Sequence, residues 1–315
     1  MAVARPDGAD PARRTAALCA AVALALGVGL AMALAGVAGP ASSVWLRAVA
    51  LGASVLLVGL GSIEALGVEP SLRVVGASAV LWLVAGVGGV WLETAERAGS
   101  SPLRVSVDEF TGTWSQRPGD LIGVVCAAAV AVWALGRLTD RMDVPAGVVA
   151  GVAGVGVVAT AVAGHASSHQ IGPVLVGVHA AAAAWWCGTL VALAVTVRGR
   201  AGWAAALPRF STVALPVVML LTASGVAAAV VNLEVFGAHG FSVLWGSGYG
   251  RILVAKTAAL TALVSLASAH RRRWVPQARA HRTAEAASVR NATVEIVMMA
   301  VALGLAAGLA GTAPA

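Results

Sequence analysis

Residues 161–193 read AVAGHASSHQIGPVLVGVHAAAAAWWCGTLVAL, setting two histidines in a polar stretch just ahead of a third inside an apolar run of helix length. From Pro173 to Val197 that run holds His179 and no Asp, Glu, Lys or Arg. A helix over these 25 residues would be about 37 Å long, enough to cross a hydrocarbon core of about 30 Å. An imidazole in hydrocarbon costs free energy unless a partner satisfies it, which makes His179 a candidate functional group whose partner has to be found.

Similar runs recur on both sides of this one. The sequence predicts nine spans, at 15–38, 43–66, 72–92, 119–137, 144–164, 173–197, 210–233, 250–270 and 292–311. The chain is 59% hydrophobic and 11% charged, with a mean hydropathy of +0.87, whereas a soluble domain carries about 25% charged residues. The expected fold is therefore an all-α polytopic membrane protein, a bundle of about nine transmembrane helices. Arg13 and Arg14 precede the first run as in a signal peptide, but the run exceeds the roughly 7 to 15 apolar residues of such a segment and reads as a retained span. Four spans with an outer loop at 93–120 form an N-terminal region, 1–143; five more form a second region, 144–315. No internal repeat is evident.

A net charge of +7 and a pI near 10.8 would suit nucleic acid if the basic residues covered a soluble surface. They lie instead in short connections between spans, Arg271, Arg272 and Arg273 foremost among them. Placing the N-terminus in the cytoplasm and the C-terminus outside gathers most of them on the inner side, as the positive-inside rule requires. The expected partner is the lipid bilayer of the cytoplasmic membrane, with no nucleic acid. Cys19, Cys126 and Cys187 sit in apolar runs without paired spacing, so neither a disulfide framework nor a redox CxxC motif is indicated. No ATP-coupling motif is present, and the reading is of a protein that is not an enzyme.

This orientation puts His165, His169 and His239 on the outer side and His179 about 9 Å inward from the outer end of its helix. These four are the candidate metal ligands. Imidazole suits copper, zinc, iron and nickel, while calcium and magnesium would ask for carboxylates. Solvation of the loop histidines, and a hydrogen bond from His179 to a neighbouring helix, are the plainer alternatives. Trp186 lies seven residues from His179, on nearly the same side of the helix, and Cys187 follows it. Beyond His179, Cys187 is a soft pathway candidate, with Met219, Met298 and Met299 as core residues that could also serve. Lys256, about six positions into the eighth span, either snorkels outward or pairs with an acid such as Glu234. Glu64 and Glu295 read as interfacial, and His270 and His281 as solvated members of an arginine-rich loop, HRRRWVPQARAHR at 270–282.

Several of these residues fall into ordered motifs that resemble the CopD family of copper resistance membrane proteins, over about Gly164 to Pro314. The motifs are GHA at 164–166, then His179, Trp186 and Gly188, then Arg209-Phe210-Ser211, TASG at 222–225, GYGRILVAK at 248–256, RRRWVP at 271–276, and Glu295 in the last span. Thr189 stands where the family usually has a second glycine. The resemblance implies copper transport or handling across the cytoplasmic membrane, with copper ion as cargo and an extracytoplasmic copper-binding protein as partner. The expected mechanism is capture by the outer histidines and delivery to His179. A haem-binding membrane redox protein and a non-transporting scaffold for copper-enzyme assembly remain the alternatives, although haem usually needs paired histidines on facing helices.

Overall fold

The computed structural model describes residues 11–36, 39–163, 171–232 and 242–312. Among them are eleven helices: α1 Pro11–Ala35, α2 Val44–Ser62, α3 Leu72–Ala98, α4 Val107–Ser115, α5 Pro118–Leu138, α6 Gly147–Val162, α7 Gly172–Thr196, α8 Gly199–Asn232, α9 Ser242–Gly246, α10 Gly248–Arg279 and α11 Glu285–Ala310. Eight are long and apolar enough to cross a membrane, and α6 is a shorter apolar helix of 16 residues. The nine spans expected from sequence all coincide with one of these nine apolar helices. Many large apolar side chains face outward, Leu18, Val84, Val125 and Val226 among them. A soluble protein would pay heavily for such a surface in water, but lipid chains accept it.

Four helices run past their expected ends, whereas α6 is shorter than its expected span. Helix α3 continues to Ala98, α8 begins at Gly199, α10 runs on to Arg279 and α11 starts at Glu285. Hydropathy falls where charged residues begin, and that marks the edge of the hydrocarbon rather than the end of the hydrogen-bonded helix. Consequently 270–279, expected as a loop, is helix, with Trp274 only 4% exposed and Pro276 accommodated within it. Only about one turn of α10 lies beyond Pro276, so losing one backbone donor there is tolerated.

Helix α2 lies at the centre, packed against α3, α6 and α7, while α1 lies mainly along α11. Gly59 of α2 meets Gly188 of α7 backbone to backbone: a Cβ on either would collide with the other helix, at Gly188 O or Val55 O respectively. This contact lets Leu57, Leu60, Leu190 and Leu193 fill one continuous core. Thr189, next to Gly188, is completely buried, and its backbone nitrogen faces Gly59.

Contacts between helix ends fix the up-and-down arrangement. Arg13 of α1 donates to the carbonyls of Ala194, Val195 and Val197, the last turn of α7, and pairs with Glu285 at 2.8 Å. A cation at a helix C-terminus answers its unpaired carbonyls and its dipole. At the same end Arg209 donates to Leu66 O at 2.8 Å, and Glu64 accepts from Gly147 N at 2.7 Å. Glu64 is therefore a capping group for α6 as well as an interfacial one.

The opposite end is closed by residues 93–117. Ser106 and Glu109 form a capping box that starts α4, and the Ser106 amide and hydroxyl hold the Glu109 carboxyl below its ordinary range. Phe110 packs edge-on against Trp91 and Trp114, with centroids 5.0 and 5.8 Å apart. Beneath them Glu93 receives Arg47, Arg97 and Arg117, each from a different part of the chain. The connection expected as an outer loop at 93–120 is thus a folded cap whose first residues belong to α3. Removing the shared carboxylate leaves three guanidinium groups facing one another. The arginines are partly solvated, so the cost is well below that of a fully buried pair: Glu93→Ala should destabilise the protein by about 1–2 kcal/mol. Thermal unfolding in detergent checks this, and the loss should shrink as salt is added.

Candidate functional site

Of the residues expected to bind metal, His179 is described by the structure; His165, His169 and His239 lie outside the described residues, as does Glu234. His179 sits two turns into α7 and faces α8. Its Nδ1 is 3.0 Å from the carbonyl oxygen of Leu221. A carbonyl can only accept, so Nδ1 carries the proton in this contact, and in the neutral ring the lone pair is left on Nε2. Among the described residues nothing is hydrogen-bonded to Nε2. Metal-binding histidines are commonly oriented by donation from the other ring nitrogen to a carbonyl, and His179 has that arrangement.

The TASG segment of α8 is what admits the ring. A Cβ at Gly225 would lie 2.9 Å from both Cε1 and Nδ1 of His179, so any side chain there would push the imidazole away. Ser224 turns its hydroxyl back onto the carbonyls of Leu220 and Leu221, at 2.7 and 3.2 Å. Leu221 O therefore accepts from two side chains, one of them His179. Lys256 of α10 lies within electrostatic range of His179.

The other expected pathway residues are not gathered there. Trp186 is 2% exposed and Cys187 6%, both about two turns further along α7. Met219 is 65% exposed on the outside of the bundle, and Met299 is buried core. No group of three or more His, Cys, Asp or Glu side chains that could hold a metal occurs among the described residues, and Cys187 packs within the main core cluster.

A second polar locus lies at the arginine-rich end, and sequence reasoning missed it. His270, expected as a solvated loop residue, is on α10 with its Nδ1 2.5 Å from Oε1 of Glu295. Glu295, expected at the interface, is 4% exposed inside the bundle. The pair lines a cavity of about 90 Å³ together with Trp186, Phe210, Ser211 and Arg271. Arg271 donates to the carbonyl and hydroxyl of Ser211, and Phe210 stacks on Trp185 at 5.9 Å. The apolar surroundings of Glu295 in sequence were one available signal, since an acid ten residues into an apolar helix needs a partner.

At the far end, the GYGR segment docks on α1. Ser247 caps α10 by accepting from Gly250 N at 2.9 Å, and Arg251 Nε donates to Leu34 O at 2.8 Å.

Residues 204–309 match the family model described as Copper resistance protein D, CopD. The matched stretch takes in Phe210, Gly225, Lys256, His270 and Glu295, and it begins after His179 and Trp186. No curated protein and no solved structure matches the chain.

Proposed function

We propose that this chain, a member of the CopD family through residues 204–309, moves copper across the cytoplasmic membrane by receiving the ion at outer-side histidines and passing it to Nε2 of His179. The observation that carries this reading is the orientation of the imidazole: Nδ1 is committed to Leu221 O, and Nε2 is left as a donor atom within an apolar helix. Gly225 supports it, because the facing helix keeps a space of imidazole size there. His165 and His169, immediately ahead of α7, are the capture residues in this scheme, with His239 as a third. Copper suits imidazole ligands, and with no ATP-coupling motif in the chain the movement follows the ion gradient, the membrane potential or a partner protein.

Copper accumulation in sealed proteoliposomes tests the reading. The double variant His165→Ala with His169→Ala should accumulate copper several-fold more slowly than the parent at equal protein content. Equal rates would discard the capture step. A parent no faster than empty liposomes would discard transport and leave the scaffold role.

A further inference from the structure

The His270–Glu295 pair has no part in that scheme, yet it is the most unusual feature of the arginine-rich end. A carboxylate 4% exposed in an apolar bundle is expensive to maintain as an ion unless its charge is answered. Its closest partner is His270, whose imidazole can either donate to or accept from a carboxyl group. The two share a hydrogen bond of 2.5 Å, and both line the cavity beside Trp186. His270 packs edge-on against Trp274, centroids 5.6 Å apart, which holds the ring in place.

The charged and titratable groups around the pair are few. From α10, Arg271 reaches past it to Ser211. From α7, Cys187 lies within electrostatic reach of Glu295. From α8, the cavity lining is Leu207, Phe210, Ser211, Ala214, Leu215 and Val218, none of them charged. Glu295 is the one acid on α11 that lines this space. Arg271 is occupied by the α8 carbonyl and hydroxyl, so it does not form a permanent ion pair with Glu295.

We propose that His270 and Glu295 form a proton-binding site loaded from the arginine-rich side through the cavity, and that its occupancy is linked to copper at His179. The pair alternates between neutral imidazole with carboxylate, net charge −1, and neutral imidazole with the Glu295 carboxyl protonated and hydrogen-bonded to it, net charge zero. The proton comes from water at the inner face and returns to it, and no other bond changes. Helix α10 connects the two sites: Lys256, within electrostatic range of His179, and His270 are fourteen residues apart on one helix, about 21 Å. This deepens the transport reading by naming its regulation from the inner face, and the linkage rests on that reading while the proton site itself does not.

Infrared difference spectra of the protein in lipid vesicles, recorded between acidic and alkaline pH, test the site directly. The parent should show the carbonyl stretch of a protonated carboxylic acid appearing at low pH. Glu295→Gln should lose that band, and His270→Gln should shift the pH at which it appears while leaving the band itself. A spectrum unchanged by Glu295→Gln would overturn the proposal, as would a band whose midpoint ignores His270→Gln. Thermal unfolding of both variants confirms that they are folded, and Glu295→Asp, which keeps a carboxyl group, should restore a band if the lesion in Glu295→Gln is loss of the acid. In the same vesicles the parent's copper accumulation should vary with internal pH and that of Glu295→Gln should not. A parent that takes up no copper while the band behaves as expected refutes transport and leaves the proton site standing. Uptake with the same pH dependence in parent and Glu295→Gln refutes the linkage.

Discussion

His179→Ala should lower copper accumulation by at least about tenfold, because it removes the proposed ligand within the span and leaves Leu221 O without the imidazole. One metal–imidazole bond together with its orienting partner accounts for an effect of that order, since loss of orienting partners alone commonly costs about 10–100-fold. The protein should still fold. His179 is only partly buried, and Leu221 O keeps its contact with Ser224. His179→Gln separates hydrogen bonding from metal binding, because its amide can donate to Leu221 O yet offers no imidazole nitrogen. If His179→Gln transports as the parent does, the imidazole is a helix-to-helix hydrogen bond and the ligand role fails. Gly225→Val provides an independent route to the same lesion: it leaves His179 in the sequence and forces the ring away from α8, so accumulation should fall as far as in His179→Ala.

The spans were legible because each is apolar over a membrane-crossing length, a property of composition that does not depend on neighbours. Their packing was less legible for the same reason. Helices that are apolar nearly all round give no stripe to say which face meets which partner. The partner of His179 is a backbone carbonyl forty-two residues away, and any residue type at position 221 would supply one. Gly225 is visible as a glycine in a TASG segment, while its purpose depends on the ring opposite. Arg271, Arg272 and Arg273 misled in a different way. They suggested a solvated loop, although an amphipathic extension of α10 can keep Trp274 buried while its arginines remain exposed. His270 was drawn into that loop by its neighbours in sequence and was thereby separated from Glu295, its neighbour in space. The Ser106 and Glu109 spacing, by contrast, is a capping signal that could be read locally, and α4 begins where that signal lies.

Gly188→Leu should be the most damaging single substitution for the fold. At Gly188 the backbone of α7 rests on Val55 O of α2, and Gly59 opposite rests on Gly188 itself, so neither helix has a side chain that could move aside. Overpacking a core usually costs about 1–3 kcal/mol because rotamers and backbone adjust. Here the obstruction is backbone, and relief requires moving α2 away from α7, opening the core around Leu57, Leu60, Leu190 and Leu193. A loss of more than about 3 kcal/mol follows, enough to remove most of the folded protein from the membrane. Gly188→Ala should already destabilise. Gly151→Ala is the matched control: it lies on the exposed face of α6, its added methyl meets nothing within 4 Å, and alanine is the better helix former by about 1 kcal/mol. It should be neutral or slightly stabilising. Thermal unfolding in detergent, with the yield of membrane-inserted protein, reads all three. Equal stability of Gly188→Leu and the parent would mean that α2 and α7 do not approach as closely as this backbone contact requires.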